Sequence, residues 1–206
     1  MKIVAIVGSP RPKGSTSILV DAALEEAAAH GCEVEKIMLC QYKIEGCRGH
    51  DRCRTYDKCK IEDDIPMILD KFCTADGTIL ATPVYYFNMT AQMKTFVDRN
   101  FFLYTHGIRL KSKCMGLIVV AGGGGDDITV RALRRCFRIQ GGNTPENWLE
   151  VTGYASGLGD VKNKPELIAK ARELGKKMAE KIGTSRMGVG PGQQIEFSMN
   201  YIKNDG

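Results

Sequence analysis

Ser9, Ser15, Thr16 and Ser17, together with Arg11 and Lys13, crowd into the ten residues from Gly8 to Ser17. Hydroxyls and cations at this density suit a phosphate monoester, whose several oxygens all need donors. The stretch follows the apolar run Ile3 to Val7 and precedes a helical pattern, so backbone amides at a helix start add to an anion site. It is not a Walker loop, because Lys13 precedes Gly14 instead of following it, and it is not G-x-G-x-x-G. A capping turn with incidental hydroxyls is the plainer alternative. A second loop, Thr82 to Thr90, strings together Pro83, Val84, Tyr85, Tyr86, Phe87 and Asn88. Three consecutive aromatics at a strand end suit a flat ring ligand, although a hydrophobic plug would have the same composition. A third loop runs through Gly122, Gly123, Gly124 and Gly125 to Asp126. Glycines there let backbone approach a ligand closely, or simply loosen the chain. One phosphate loop, one aromatic loop and one glycine loop describe a mononucleotide with a planar ring.

The remaining chemistry lies in eight cysteines, at 32, 40, 47, 53, 59, 73, 114 and 136. That is about 4% of 206 residues, below the 8–10% of a disulfide scaffold. The N-terminal apolar run is too short for a signal peptide, and no stretch approaches 18 apolar residues. The expectation is a cytoplasmic chain with reduced thiols, serving as core residues, metal ligands or redox groups. Cys73, Cys114 and Cys136 sit in apolar or helical segments and read as core. Cys32 and Cys40 flank a strand and read as structural. A net charge of +5 is spread along the chain. Without a nucleic-acid motif, it fits small anions or an acidic protein partner better than nucleic acid. His30, at a helix end, and His106, in a loop, carry no catalytic signature. No serine-hydrolase or zinc-protease motif is present.

Strand and helix patterns alternate along the chain. Residues 2–8, 33–39, 77–81, 113–121 and 148–151 read as strands. Residues 15–29, 62–72, 90–99, 127–138 and 165–182 read as helices. Ser15 or Thr16 is placed to cap the first helix, and Pro66 falls in the early turns of the second. Residues 40–60 are polar and basic, with no period. Five strands alternating with five helices predict an α/β fold: a doubly wound, five-stranded parallel sheet with helices on both faces. Ligands bind at the carboxyl ends of such strands, where all three loops lie. One domain spans 1–183, with a cysteine-rich insertion at 43–61. Residues 184–206 form a tail or an oligomerisation arm, because Ile195, Phe197, Met199, Tyr201 and Ile202 alternate like a short strand.

Three segments, GSPRPKGST (8–16), GCRGHDRCRTYDKCKIEDDI (46–65) and TPVYYFNMTAQMKTFVDR (82–99), resemble the flavodoxin-like NAD(P)H-dependent FMN reductase and iron–sulfur flavoprotein families. The resemblance covers about residues 1–183. It implies that Ser9, Arg11, Ser15, Thr16 and Ser17 serve the FMN phosphate. It places Pro83, Val84, Tyr85, Tyr86, Phe87 and Asn88 along the isoalloxazine ring, with Gly122, Gly123 and Gly124 nearby and Tyr85 and Asn88 as tuning residues. Iron–sulfur flavoproteins carry C-x2-C-x2-C-x5-C followed by acidic residues. The spacing is kept here as Cys47, His50, Cys53 and Cys59, but the second position is histidine. Four outcomes remain open. His50 ligates one iron of a [4Fe–4S] cluster, three thiolates hold a three-iron cluster, all four bind zinc, or the loop is metal-free.

The function so implied is FMN-dependent electron transfer from NAD(P)H or a ferredoxin-like carrier to a quinone, flavin or oxygen species. The alternative is a non-catalytic electron carrier or redox sensor with a zinc-bound or metal-free loop. A nucleotide-binding structural protein is a third option. The resemblance also implies a homodimer or homotetramer.

Overall fold

A computed structural model describes residues 1–138 and 148–184. Strand β1 (Lys2–Val7) is followed by helix α1 (Ser15–Ala29) and β2 (Glu33–Met38). After the irregular 42–64 stretch come α2 (Ile65–Thr74), β3 (Gly77–Tyr85), the two-residue β4 (Asn88–Met89), α3 (Ala91–Arg99) and α4 (Phe101–Thr105). Then follow β5 (Cys114–Ala121), α5 (Asp126–Phe137), β6 (Trp148–Tyr154) and α6 (Pro165–Thr184). The main sheet runs β2-β1-β3-β5-β6, with every pair parallel. That order is the flavodoxin-like one, with its switch point between β1 and β3.

Strands buried on both faces explain the near-continuous apolar runs. In β1, Ile3, Ala5 and Val7 pack toward α1 and α6. Val4 and Ile6 pack toward α2, α3 and α5. On the second face Phe72, Phe96 and Phe137, one from each helix, meet as an aromatic trio with centroids 5.2–6.2 Å apart. On the first face α1 and α6 touch backbone to backbone. A Cβ at Gly175 would stand 2.0 Å from the carbonyl oxygen of Ala23.

The predicted architecture holds, with local corrections. β3 runs on to Tyr85, so Thr82 and Pro83 are strand residues. α2 starts at Ile65, three residues later than the acidic run suggests. Asp63 and Asp64 precede it, and their carboxylates accept the backbone N–H groups of Ile65, Glu45 and Lys43. α4 and β4 were not expected. Neither Ser15 nor Thr16 caps α1; the N-cap is Gly14, in extended conformation. Cys40 is exposed, whereas Cys32, Cys73 and Cys114 are buried and Cys136 is half-buried. The 184–206 arm lies outside the described residues apart from Thr184, the last residue of α6.

Candidate active site

The helix that follows β1 begins without a side-chain cap. The first-turn amides of Ser15, Thr16 and Ser17 are those an α-helix leaves without an internal acceptor. Around them, the 9–14 turn folds on itself. Ser9 Oγ accepts from Arg11 N at 3.2 Å, and Gly14 N donates to Arg11 O at 3.0 Å. Ser9, Ser15 and Thr16 are buried, and Arg11 and Lys13 are exposed at the mouth. Ser17 departs from the expected phosphate set. Its hydroxyl faces β2, donating to Met38 Sδ at 3.9 Å and accepting from Lys36 Nζ at 3.2 Å. The helix turn carries it under the loop, with no exposed surface.

At the end of β3 the chain makes a tight hairpin, Val84–Tyr85 pairing with Asn88–Met89. Its two turn residues, Tyr86 and Phe87, have φ of 46° and 66°. Positive φ is uncommon for a residue with a bulky side chain, and such conformations cost about 1–3 kcal/mol each. Both rings are exposed, Tyr86 at 96%. Beside them, Gly125 has φ 85°, and a Cβ there would stand 2.7 Å from Phe87 Cα. The residue that must be glycine for close approach is therefore Gly125. At Gly122, Gly123 and Gly124 a Cβ would meet nothing within 4 Å, so that run borders open space.

Thr90 joins the two ends. Its hydroxyl caps α3 by accepting from Met93 N at 3.2 Å, and donates to the carbonyl oxygen of Gly8 at 2.6 Å. Gly8 admits this contact because a Cβ would collide with Met93 Cβ at 2.6 Å. The outer loops are stitched in as well. Tyr154 Oη donates to Asp126 Oδ1 at 3.0 Å, and that carboxylate raises the phenol above its ordinary pKa. Ser15 Oγ donates to Gly157 O at 3.5 Å.

The cysteine loop sits beside α3 and α4. Cys47 is exposed, and His50, Cys53 and Cys59 are half-buried. His50 and Tyr56 meet edge to face at 6.2 Å. His106 places Nε2 2.9 Å from Tyr56 O and Nδ1 2.7 Å from Phe102 O. A neutral imidazole donates at one of these nitrogens alone. Among the described residues no three His, Cys, Asp or Glu side chains gather to hold a metal ion. The expected set of Cys47, His50, Cys53 and Cys59 is therefore not assembled as a ligand sphere in this structure.

A different group is assembled there. Arg99, its side chain 1% exposed, forms a forked ion pair with the fully buried carboxylate of Asp63. It also donates to Glu45 O at 2.9 Å and to Cys59 Sγ at 3.4 Å. Burial works against its charge, but Asp63 and then Cys59 outweigh that penalty and raise its pKa.

An uncapped helix start, buried hydroxyls, an exposed aromatic hairpin and an open glycine run fit a ligand with a phosphate at one end and a flat ring at the other. The sequence profile described as NADPH-dependent FMN reductase matches residues 1–155. The chain belongs to that family. It is thus an FMN-dependent oxidoreductase. An iron–sulfur flavoprotein of Methanocaldococcus jannaschii is 38% identical over 189 residues, covering 88% of this chain and 97% of that one. One from Archaeoglobus fulgidus is 40% identical over 212 residues, covering all of this chain and 93% of the relative. An NAD(P)H:quinone oxidoreductase from Methanothermobacter marburgensis shares the fold, with TM-score 0.67 at 14% identity, over 86% of this chain and 96% of its own. RosB superposes with TM-score 0.71 at 17% identity, over 91% and 81% of the two chains.

Within this FMN reductase, Thr90, Gly125 and Arg99 organise the site in ways that residue types alone do not single out. Thr90 had a signal, as a threonine ahead of a helix. Gly125 was one of four glycines, and nothing in sequence singles it out. Arg99 ends an amphipathic helix, where a cation ordinarily answers the helix dipole.

Proposed function

We propose that this FMN reductase takes electrons from NAD(P)H or a reduced ferredoxin-like carrier and delivers them to a small acceptor such as a quinone, a flavin or an oxygen species. The observation that carries the reading is the Gly8–Thr90 tether, which holds the uncapped start of α1 and the aromatic hairpin side by side. Ser9, Ser15 and Thr16, with the first-turn amides of α1 and the exposed Arg11, bind the phosphate. Ser17 is left out, because its hydroxyl is engaged with Met38 and Lys36. Pro83, Val84, Tyr85, Tyr86, Phe87 and Asn88 line the ring on one side, and the backbone of Gly122–Gly124 on the other. When bound, FMN supplies the redox chemistry, accepting a hydride or single electrons and passing them on. The protein binds, orients and shields it; no side-chain acid or base is assigned. No electron step is assigned to the cysteine loop, whose donors are not gathered.

Arg48, Arg52, Arg54, Lys58 and Lys60 make that loop a basic surface for an acidic carrier protein. All eight cysteines are free thiols, which suits the reducing cytoplasm. No helix among the described residues is long and apolar enough to cross a membrane.

The test is an anaerobic visible spectrum with metal and sulfide analysis, followed by turnover of NAD(P)H with a quinone. Flavin bands and turnover support the reading. A colourless protein that does not bind added FMN overturns it. Iron with sulfide, stoichiometric zinc, or neither then decides what the loop holds.

A further inference from the structure

Tyr154 ends β6 and holds the glycine run at both of its ends. By strand register it stands beside Ala121, the last residue of β5, and the next residue, Ala155, donates its N–H to Ala121 O at 2.9 Å. On the far side of the run, Tyr154 Oη donates to Asp126 Oδ1 at 3.0 Å, and Asp126 is the first residue of α5. The ring is 51% exposed, so packing alone does not set its direction; the hydrogen bond does. Accepting that bond, the Asp126 carboxylate raises the phenol above its ordinary pKa, so Oη keeps its proton and remains a donor at neutral pH. The far end of the run is fixed a second time. Thr129 N and Oγ1 both donate to Gly125 O, at 3.0 and 2.8 Å, and Gly125 lies against the backbone of Phe87. Between these anchors Gly122, Gly123 and Gly124 border open space, and none of them has a positive φ. Neither close contact nor backbone conformation within the described residues demands glycine there.

We infer that Tyr154 is a positioning residue for the flavin ring: paired with Ala121 and bonded to Asp126, it straps the two ends of the Gly122–Gly124 run and fixes the backbone that borders the ring. The inference rests on the reading of that run as one wall of the ring site. Glycine loses more conformational freedom on ordering than any other residue. A glycine run anchored at one end alone is ordered by the ligand, and that cost is subtracted from affinity. Strapped at both ends, the run is ordered when the chain folds. Through Gly125 the same strap bears on Phe87, so the glycine run and the aromatic hairpin are set against each other by contacts separate from the Thr90–Gly8 tether. Tyrosine suits the task because its rigid ring carries a donor across the run; phenylalanine keeps the ring and loses the donor.

The experiment uses the full chain, with flavin removed and then restored. Amide hydrogen exchange over 121–126 in the flavin-free chain reports the strap itself. Quenching of flavin fluorescence reports binding of FMN and of riboflavin, which has the same ring without the phosphate. Competition by inorganic phosphate against FMN reports the phosphate end. Tyr154→Phe is expected to speed exchange at the amides of Gly122, Gly123 and Gly124. It is expected to weaken FMN and riboflavin alike by about 3–10-fold, as loss of one hydrogen bond of ordinary net strength does, with phosphate competition unchanged. Asp126→Asn, whose amide oxygen still accepts, is expected to bind both flavins near native. Asp126→Ala is expected to match Tyr154→Phe, and the double variant to lose no more than either alone. Native flavin affinity or native exchange in Tyr154→Phe overturns the inference. So does an equal weakening of inorganic phosphate, which marks a general loosening instead of an effect at the ring. If Tyr154→Phe does not fold, Asp126→Ala decides by the same measurements. A native chain that binds neither flavin overturns the proposed function and this inference with it, whereas a tight native chain with an equally tight Tyr154→Phe overturns this inference alone.

Discussion

At the residue scale the cysteines divide by surroundings. Burial pushes the Cys73 thiol up to about 12, with Asp70 adding to the effect, and the Cys114 thiol up to about 11, against a weaker opposing pull from Lys181. Both are neutral at any physiological pH and have no route to a reagent. Iodoacetamide at pH 8 is therefore expected to label Cys40 and Cys47 in the folded protein and to leave Cys73 and Cys114 unmodified until it unfolds. Peptide mass mapping reads the result; rapid labelling of Cys73 under native conditions would contradict it. The same shifts set a pH dependence. A thiol whose folded pKa is raised contributes its full stability below the ordinary thiol range. That contribution is lost as pH rises, because the unfolded chain ionises first. The unfolding free energy from urea melts should fall from about pH 9 upward, by up to ~1.4 kcal/mol per pH unit for each such thiol. Cys114→Ala should show a shallower fall than the native chain.

At the scale of elements, the β3–β4 hairpin holds two aromatic residues in a conformation that favours glycine. Nothing in the packing requires rings there, since both are exposed. Strain kept without a packing reward points to a role in binding. Phe87→Gly is expected to raise the unfolding free energy from urea melts by about 0.5–1 kcal/mol, the relief of strain exceeding the extra freedom of glycine in the unfolded chain. It is also expected to weaken retention of FMN and to raise KM for a planar quinone. A lowered midpoint would show that the ring stabilises the fold instead. The hairpin also marks how far sequence carried. The parallel strands were legible because they are buried on both faces, and α1 because its apolar spacing ends at Gly31. The phosphate and ring loops stood out through residue types that serve no core. What sequence hid were contacts between loops distant along the chain. Asp63 looks like a helix-opening acid until Arg99, thirty-six residues on, is seen to meet it. Ser17 looks like a fourth phosphate hydroxyl until the helix turn carries it toward Met38.

At the scale of the whole molecule, α6 runs from the carboxyl end of β6 to the opposite edge of the sheet, where Gly183 lies near Met1. At 1.5 Å per residue the helix spans about 30 Å, so α6 ends on the side away from the carboxyl ends of the strands. We propose that the segment 184–206, in which Ile195, Phe197, Met199, Tyr201 and Ile202 alternate in sequence, serves as an oligomerisation arm of a homodimer or homotetramer. Deleting residues 184–206 is expected to lower the mass measured by light scattering; an unchanged mass would remove the arm from the assembly. The Thr90–Gly8 bond has a consequence for rates. Because that bond joins the turn after β1 to the β3–β4 hairpin, a flavin seated on both, as proposed, does not have to order one against the other. Capture is then governed by encounter and orientation, and differences in retention among variants fall mainly on the rate of escape.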